Sequence, residues 1–299
     1  MEEFSCRKYL DNIKEYQLKQ ILIEAGRDRL ARKQKFIFEL HKQADQDWNQ
    51  TFFEMLLRMM DTSANRELYH NLAKKIPYRY IMREQKSLQA IEALLIGGSG
   101  LLSLYPEDQY ISDLKDTWNY LASKYDLSPM RCADWKLSKI RPYNHPVLRL
   151  AQIAMLLYER EFFVNSIINC RTVEDVENLF CIEASEYWKT HFLPAHQSRL
   201  IPKRLGREKS HILGINLVVQ MQYAYSYNIG RDELRDCALK LLETIPAENN
   251  RFIDSWQQRG IYPKTAADSQ ALLQISTEYC NKNRCQECFV RKYACKTTK

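Results

Sequence analysis

Apolar residues recur every three or four positions along most of the chain, which is the spacing of one face of an α-helix. A run over 146–163 is apolar nearly all round, as expected of a buried central helix. The chain holds 8 Gly and 9 Pro and few Asn-Gly or Asp-Gly pairs, which is sparse for a β-sandwich or barrel. Further helices are predicted over 14–44, 48–60, 64–76, 79–96, 108–125, 172–180, 211–227, 231–245, 249–259 and 266–280.

These patterns predict an all-α fold, an irregular multi-helix bundle that ends in a cysteine-rich loop. The segment 129–144 is irregular, with Pro129, Pro142 and scattered Lys and Arg. We therefore expect it to connect two helical halves, 1–128 and 145–299.

Composition narrows the class of protein further. A hydrophobic content of 45% with 11% aromatics excludes general disorder, and a net charge of +7 is a mild basic bias. An apolar run of 18 residues is absent from the sequence, so no membrane span is expected. The first residues lack the pattern of a secretory signal, and the cysteine count of nine is odd. Both features predict a reducing cytoplasm, with cysteines kept as thiols or bound to metal.

Four cysteines lie within 16 residues near the C-terminus, Cys280, Cys285, Cys288 and Cys295, in the pattern C-x4-C-x2-C-x6-C. Thiolates gathered this closely are typical of a metal centre, and the C-x2-C pair lets two sulfurs face one ion or cluster corner. The spacing resembles that of the C-terminal cluster loop of endonuclease-III-like DNA glycosylases. It fits zinc and a 4Fe–4S cluster equally, and reduced thiols without metal are the alternative.

Basic residues surround the cysteines, among them Arg284, Arg291 and Lys292. Their charge favours thiolates and can contact phosphates. A second basic loop contains Arg199, Lys203, Arg204, Arg207 and Lys209. Its residues are either phosphate contacts or a solvated surface.

An unusual polar string, Arg-Pro-Tyr-Asn-His-Pro (141–146), precedes the most apolar helix. His145 or Asn144 can cap that helix, and Arg149 and Gln152 share one face of it. Two interpretations remain open for Arg141, Asn144, His145, Arg149 and Gln152. They form either an internal polar network that ties the halves together or a ligand site at a helix N-terminus.

Recognised catalytic motifs do not occur in the sequence. Gly-Gly-Ser-Gly (97–100) lacks the following Lys-Ser/Thr and the preceding strand of a phosphate loop, so it predicts a helix end. No G-x-S-x-G, H-E-x-x-H or dinucleotide fingerprint is present.

Taken together, these strings resemble a bacterial family known as domain of unknown function 2851. The strings that carry the resemblance are Glu-Ala-Leu-Leu-Ile-Gly-Gly-Ser-Gly-Leu-Leu (92–102), Trp135, Arg-Pro-Tyr-Asn-His-Pro (141–146), Arg-Leu-Ala-Gln (149–152), Tyr-Trp (187–188), Leu-Gly (205–206), Ile-Asn (215–216), Pro-Ala-Glu-Asn (246–249), Asp-Ser-Gln-Ala-Leu (268–272) and the run Cys280, Cys285, Cys288. The resemblance implies that this chain is the C-terminal helical portion of a longer protein. It implies a strand-rich, nuclease-like region upstream.

The leading hypothesis is a helical, metal-bearing module that binds nucleic acid or supports that nuclease-like region. Its cofactor is expected to be a 4Fe–4S cluster or zinc. The alternative is a protein-interaction scaffold whose cysteines are structural or unliganded.

Overall fold

A computed structural model describes residues 6, 10, 13–60 and 64–296, with side chains through residue 293. The first helices are α1 (Glu15–Gln43), α2 (Trp48–Met60), α3 (Arg66–Lys75), α4 (Tyr78–Arg83), α5 (Leu88–Glu92), α6 (Gln109–Tyr125) and α7 (Pro146–Glu159). They are followed by α8 (Phe163–Asn169), α9 (Val173–Leu179), α10 (Arg207–Leu213), α11 (Gln220–Ile229), α12 (Asp232–Thr244), α13 (Arg251–Gln257), α14 (Ala266–Gln274) and α15 (Phe289–Lys296). The all-α prediction is confirmed.

Most predicted helices occur within a few residues of their expected ends, but the one over 79–96 is divided. The chain leaves the helix after Arg83, and the Ser87 hydroxyl caps a new one by accepting a hydrogen bond from the Ala90 N–H, at 3.2 Å. A serine at this position satisfies a helix N–H that would otherwise have no partner. The hydrophobic spacing hid the break, because both pieces bury apolar residues at helical intervals.

Three of the long helices contain a π-helical turn, at Ala93–Gly97, Gly214–Val219 and Ile275–Cys280. Such turns insert one residue into a helix and shift the face that follows. Strand content in the described residues is small: β1 (His191–Leu193) and β2 (His196–Gln197) form an antiparallel pair.

The chain divides into two compact units. Unit 1 comprises Met1–Glu39, Arg171–Val173 and Val218–Lys299, and unit 2 comprises Leu40–Cys170 and Glu174–Leu217. The predicted connecting segment, 129–144, lies inside unit 2. It is packed there, since the Trp135 indole N–H donates to the Ser99 carbonyl at 2.9 Å and the Lys136 N–H donates to the Asn65 side chain at 2.9 Å.

Unit 1 has its own apolar core, formed by α1, α13, α14 and the segment after α14. Ile21, Ala25, Trp256, Ala271 and Leu272 are buried in it. Helix α14 begins with a capping box between Thr265 and Asp268, which fixes its start. No helix of the described residues is long and apolar enough to span a bilayer.

Candidate functional site

The cysteine segment begins where α14 ends in its π-helical turn. Asn283 has a φ of 55°, and its N–H donates to the Cys280 carbonyl at 3.1 Å. A 3₁₀ turn, Cys285–Glu287, follows, in which the Cys288 N–H donates to the Cys285 carbonyl at 3.3 Å. These two turns fold the chain back on itself, so the three cysteines stand on one compact loop before α15 begins.

The loop is anchored on the apolar core of unit 1. Cys288 is 6% exposed and belongs to that core, and Cys280 packs against it. Cys6, near the N-terminus, packs against the same core. The sequence pattern missed Cys6, because 274 residues separate it from Cys280 and no local spacing marks it.

Cys6, Cys280, Cys285 and Cys288 are free thiols that influence one another electrostatically. Burial raises the pKa of Cys6 to about 11 and that of Cys280 to about 12, and it also raises the pKa of Cys288. Negative charge on neighbouring sulfurs further disfavours ionisation of each of these three thiols. Cys6, Cys280 and Cys288, which share one apolar core, therefore stay protonated unless a cation compensates their charge.

Binding a single metal ion requires a stricter arrangement of side chains than a shared core does. Among the residues that the structure describes, no group of three or more His, Cys, Asp or Glu side chains is arranged to hold a metal ion. The side chain of Cys295 lies outside the described residues, so the predicted set of four C-terminal thiolates stays a prediction.

The basic loop between β2 and α10 has partners within unit 2. Lys203 is fully buried, and its ammonium donates to the carbonyls of Lys189 and Ile201 at 3.1 and 3.0 Å. Arg204 and Arg207 form ion pairs with glutamates, and the Lys209 ammonium donates to a backbone carbonyl. Arg199 is exposed. Lys203 and Lys209 thus hold the fold together, whereas the Arg204 and Arg207 side chains are paired but largely exposed.

Several basic side chains near the cysteines are open to solvent as well. Lys282 and Arg284 are exposed, and Lys292 is exposed as well, whereas Arg291 is half-buried. Arg284 pairs with Glu287 at 2.5 Å. The ammonium of Lys292 lies 5.4 Å from the centre of the Phe289 ring.

The polar string before α7 forms an internal network in unit 2. The Arg149 guanidinium donates to Asn144 Oδ1 at 2.6 Å and to Gln152 Oε1 at 2.8 Å, and the Gln152 amide donates to the Lys203 carbonyl at 2.9 Å. His145 caps the helix by accepting from the Val147 N–H, and burial lowers its pKa to about 4. Arg141 is exposed. The network interpretation accounts for these contacts, although the network joins parts of one unit.

A cavity of about 470 Å³ lies elsewhere in unit 2. Its lining includes Gly97, Trp118, Met130 and Cys132, with Lys115 and Arg131 as charged residues. None of the predicted network residues lines it. A catalytic role for the network would require its polar side chains to converge on a cleft. They do not converge at this cavity.

Sequence reasoning also missed a buried carboxyl group, Glu92, in an apolar stretch. The Ser185 hydroxyl donates to Glu92 Oε1 at 2.8 Å, and burial raises the pKa of Glu92 to about 7. Tyr110 and Trp188 also contact this carboxyl, and the Trp188 indole N–H donates to the Tyr110 hydroxyl at 3.1 Å. A single acidic residue among Ala, Leu and Ile was the signal that the sequence offered.

Comparison with known proteins places the chain in a family. The family model described as protein of unknown function (DUF2851) matches residues 1–251, so the chain belongs to that family. The match ends before the cysteine segment, and the strings from 268 onward lie outside it. No curated protein and no solved structure matches the chain.

Proposed function

We propose that this member of the family is a helical module whose cysteine segment holds a thiolate-bound metal centre, and that the module binds nucleic acid through the basic side chains around that centre. The observation that carries the proposal is the gathering of thiols on one apolar core. Buried thiols that disfavour one another's ionisation gain most from a cation that all of them share.

A cluster demands a less compact arrangement of the thiols than a single zinc ion does. Zinc holds four sulfurs at about 2.3 Å, which forces them into mutual contact. A 4Fe–4S cluster binds each thiolate at a different iron atom, so its sulfurs stand further apart. A cluster is therefore the proposed occupant of the thiols on this core.

Nucleic-acid binding is supported by the distribution of positive charge. In the basic loop over 199–209, Lys203 is buried, and Arg204 and Arg207 are exposed but paired with glutamates, whereas Lys292 is exposed beside the cysteine segment. A metal centre that orders this segment would fix its positive charge in place. A nuclease-like region implied by the resemblance would act on the same nucleic acid.

The metal is tested by purifying the full chain without oxygen. We expect a broad absorption band at about 400 nm, with stoichiometric iron and acid-labile sulfide. Cys288→Ser should lose both, because it removes the most buried thiol of the segment. Cys181→Ser, which changes an exposed cysteine of unit 2, is the matched control. Colourless protein that contains zinc would show that the metal is zinc and not a cluster. Protein with neither metal would overturn the proposal.

Nucleic-acid binding is tested by measuring the affinity of the metal-loaded chain for short DNA and RNA duplexes between about 50 and 200 mM salt. The double variant Arg291→Gln/Lys292→Gln should weaken binding about tenfold and reduce the salt slope by roughly 2. The equally charged change Arg204→Gln/Arg207→Gln should have a smaller effect, since both side chains already face glutamates. Absence of binding at low salt would favour the protein-interaction scaffold.

A further inference from the structure

We infer that Cys6 is the fourth ligand of the metal centre, so that Cys6, Cys280, Cys285 and Cys288 together hold a 4Fe–4S cluster. The inference rests on the proposed metal centre and changes its composition, with Cys6 in the place predicted for Cys295. The cluster would join the N-terminal segment of the chain to its C-terminal segment within unit 1.

Hydrogen bonds along α1 establish the direction in which the N-terminal segment runs. Asp28 Oδ2 accepts from the Gln274 amide and from the Tyr279 hydroxyl, both at 2.8 Å. One turn earlier, Glu24 accepts from the Tyr293 hydroxyl at 2.7 Å. Asp28, further along α1, thus bonds to residues at the end of α14 and just after it, whereas Glu24, nearer the start of α1, bonds to α15, the helix that follows the cysteine loop. The start of α1 is therefore the end that lies nearer to that loop.

Local contacts hold Cys6 at this position. Its carbonyl accepts from the Leu10 N–H at 3.2 Å, and the Leu10 carbonyl accepts from the Ile13 N–H at 3.2 Å. Leu10 is 8% exposed and belongs to the apolar core that contains Cys288, and Ile13 packs against that core. The turn that carries Cys6 is thus attached to the same core as the cysteine loop.

The backbone of Cys295 runs away from the loop. Cys288 immediately precedes α15, and Cys295 lies near the far end of that helix. A rise of about 1.5 Å per residue places the two backbones roughly 10 Å apart. Cys6, by contrast, packs against the apolar core that contains Cys288.

The charges of the proposed site can be balanced. Each of the four thiols gives its proton to solvent, and each thiolate donates an electron pair to one iron atom of the cluster. Two ferric ions, two ferrous ions and four sulfides make up the 2+ cluster core, so its assembly from these ions and its bonds to the thiolates need no further oxidant.

The test compares Cys6→Ser, Cys295→Ser and the control Cys132→Ser in the full chain, each reconstituted anaerobically with ferrous and ferric iron, sulfide and a thiol. We expect bound iron and the band at about 400 nm to fall roughly fivefold or more in Cys6→Ser, and the other two variants to resemble the wild type. Far-ultraviolet circular dichroism checks that each variant is folded.

Alkylation of the wild-type protein gives a second readout that does not depend on folding of a variant. In the loaded protein Cys6 should be protected from iodoacetamide at about pH 9.5, and its alkylation should become measurable after the iron is removed by a chelator, because the alkaline pH ionises part of the iron-free thiol. Loss of iron in Cys295→Ser with retention in Cys6→Ser, or equal reactivity of Cys6 with and without iron, would overturn the inference while leaving the metal centre intact. A wild-type chain that binds no metal would instead overturn the proposed function.

Discussion

Replacing Gly100 with alanine should cost far more stability than the same change at Gly206 or Gly230, on the order of 4 kcal/mol or more. Gly100 has a φ of 78°, and an added Cβ would lie 2.1 Å from the Met130 carbonyl oxygen. That oxygen belongs to the backbone of a packed segment, so it cannot move as the end of a flexible side chain could. The measurement is urea unfolding followed by tryptophan fluorescence.

The two other glycines separate the causes of this effect. Gly230 has a φ of 65° but would meet nothing within 4 Å, so Gly230→Ala reports left-handed strain alone, about 1–2 kcal/mol. Gly206 has neither a positive φ nor a close neighbour, and Gly206→Ala should be nearly neutral. If Gly100→Ala lowered the free energy of unfolding no more than Gly230→Ala does, the close approach of Met130 would not contribute to the cost of the substitution.

The Gly-Gly-Ser-Gly string illustrates what the sequence can and cannot predict. Its expected role, ending a helix, is confirmed by the left-handed Gly100 that follows the π-helical turn. The stronger constraint is tertiary: a Cβ on Gly97 would lie 2.6 Å from the Trp118 ring, and one on Gly98 would lie 2.8 Å from Ile76. Glycine content signals close approach, but the approaching partner comes from a distant part of the chain.

The helices were largely predictable because burial repeats with the helical period, as the agreement over Trp48–Met60 shows. The partners of charged side chains could not be predicted from the sequence. Lys203 looked like one phosphate contact among several, yet its ammonium is buried among backbone carbonyls. Nothing in the local composition distinguishes a lysine that turns inward from one that faces solvent.

The candidate site shows the same limit. The spacing of Cys280, Cys285 and Cys288 is local, and short turns between them keep them on one loop. The position of Cys6 depends instead on how α1 packs along α14, through partners such as Asp28 and Tyr279. A residue recruited over that sequence distance can be found from the fold but not from a motif.

Glu92→Gln should make the protein more stable at neutral and alkaline pH, by about 3 kcal/mol at pH 8. Burial raises the pKa of the native Glu92 carboxyl from 4.5 to about 7, so the folded state holds a proton that the unfolded state has lost. The contribution of Glu92 to the free energy of unfolding should therefore be most favourable below about pH 4.5, and it should fall as pH rises toward about 7. Above that range both states are ionised, and the penalty of burying the charge is constant.

Glutamine keeps the oxygen that accepts from Ser185 and never ionises, so the difference in unfolding free energy between variant and wild type should grow from about pH 4.5 to 7 and then level off. Urea titrations at several pH values measure that difference, and other titrating groups cancel in it. The control, Glu107→Gln, changes an exposed carboxylate whose pKa is lowered by its hydrogen bond with Lys115, so its difference should have the opposite sign and be small. A difference for Glu92→Gln that does not vary with pH would show that the pKa of this carboxyl is the same in the folded and unfolded states. Its contacts with Ser185, Tyr110 and Trp188 would then stabilise the charge as much as burial destabilises it.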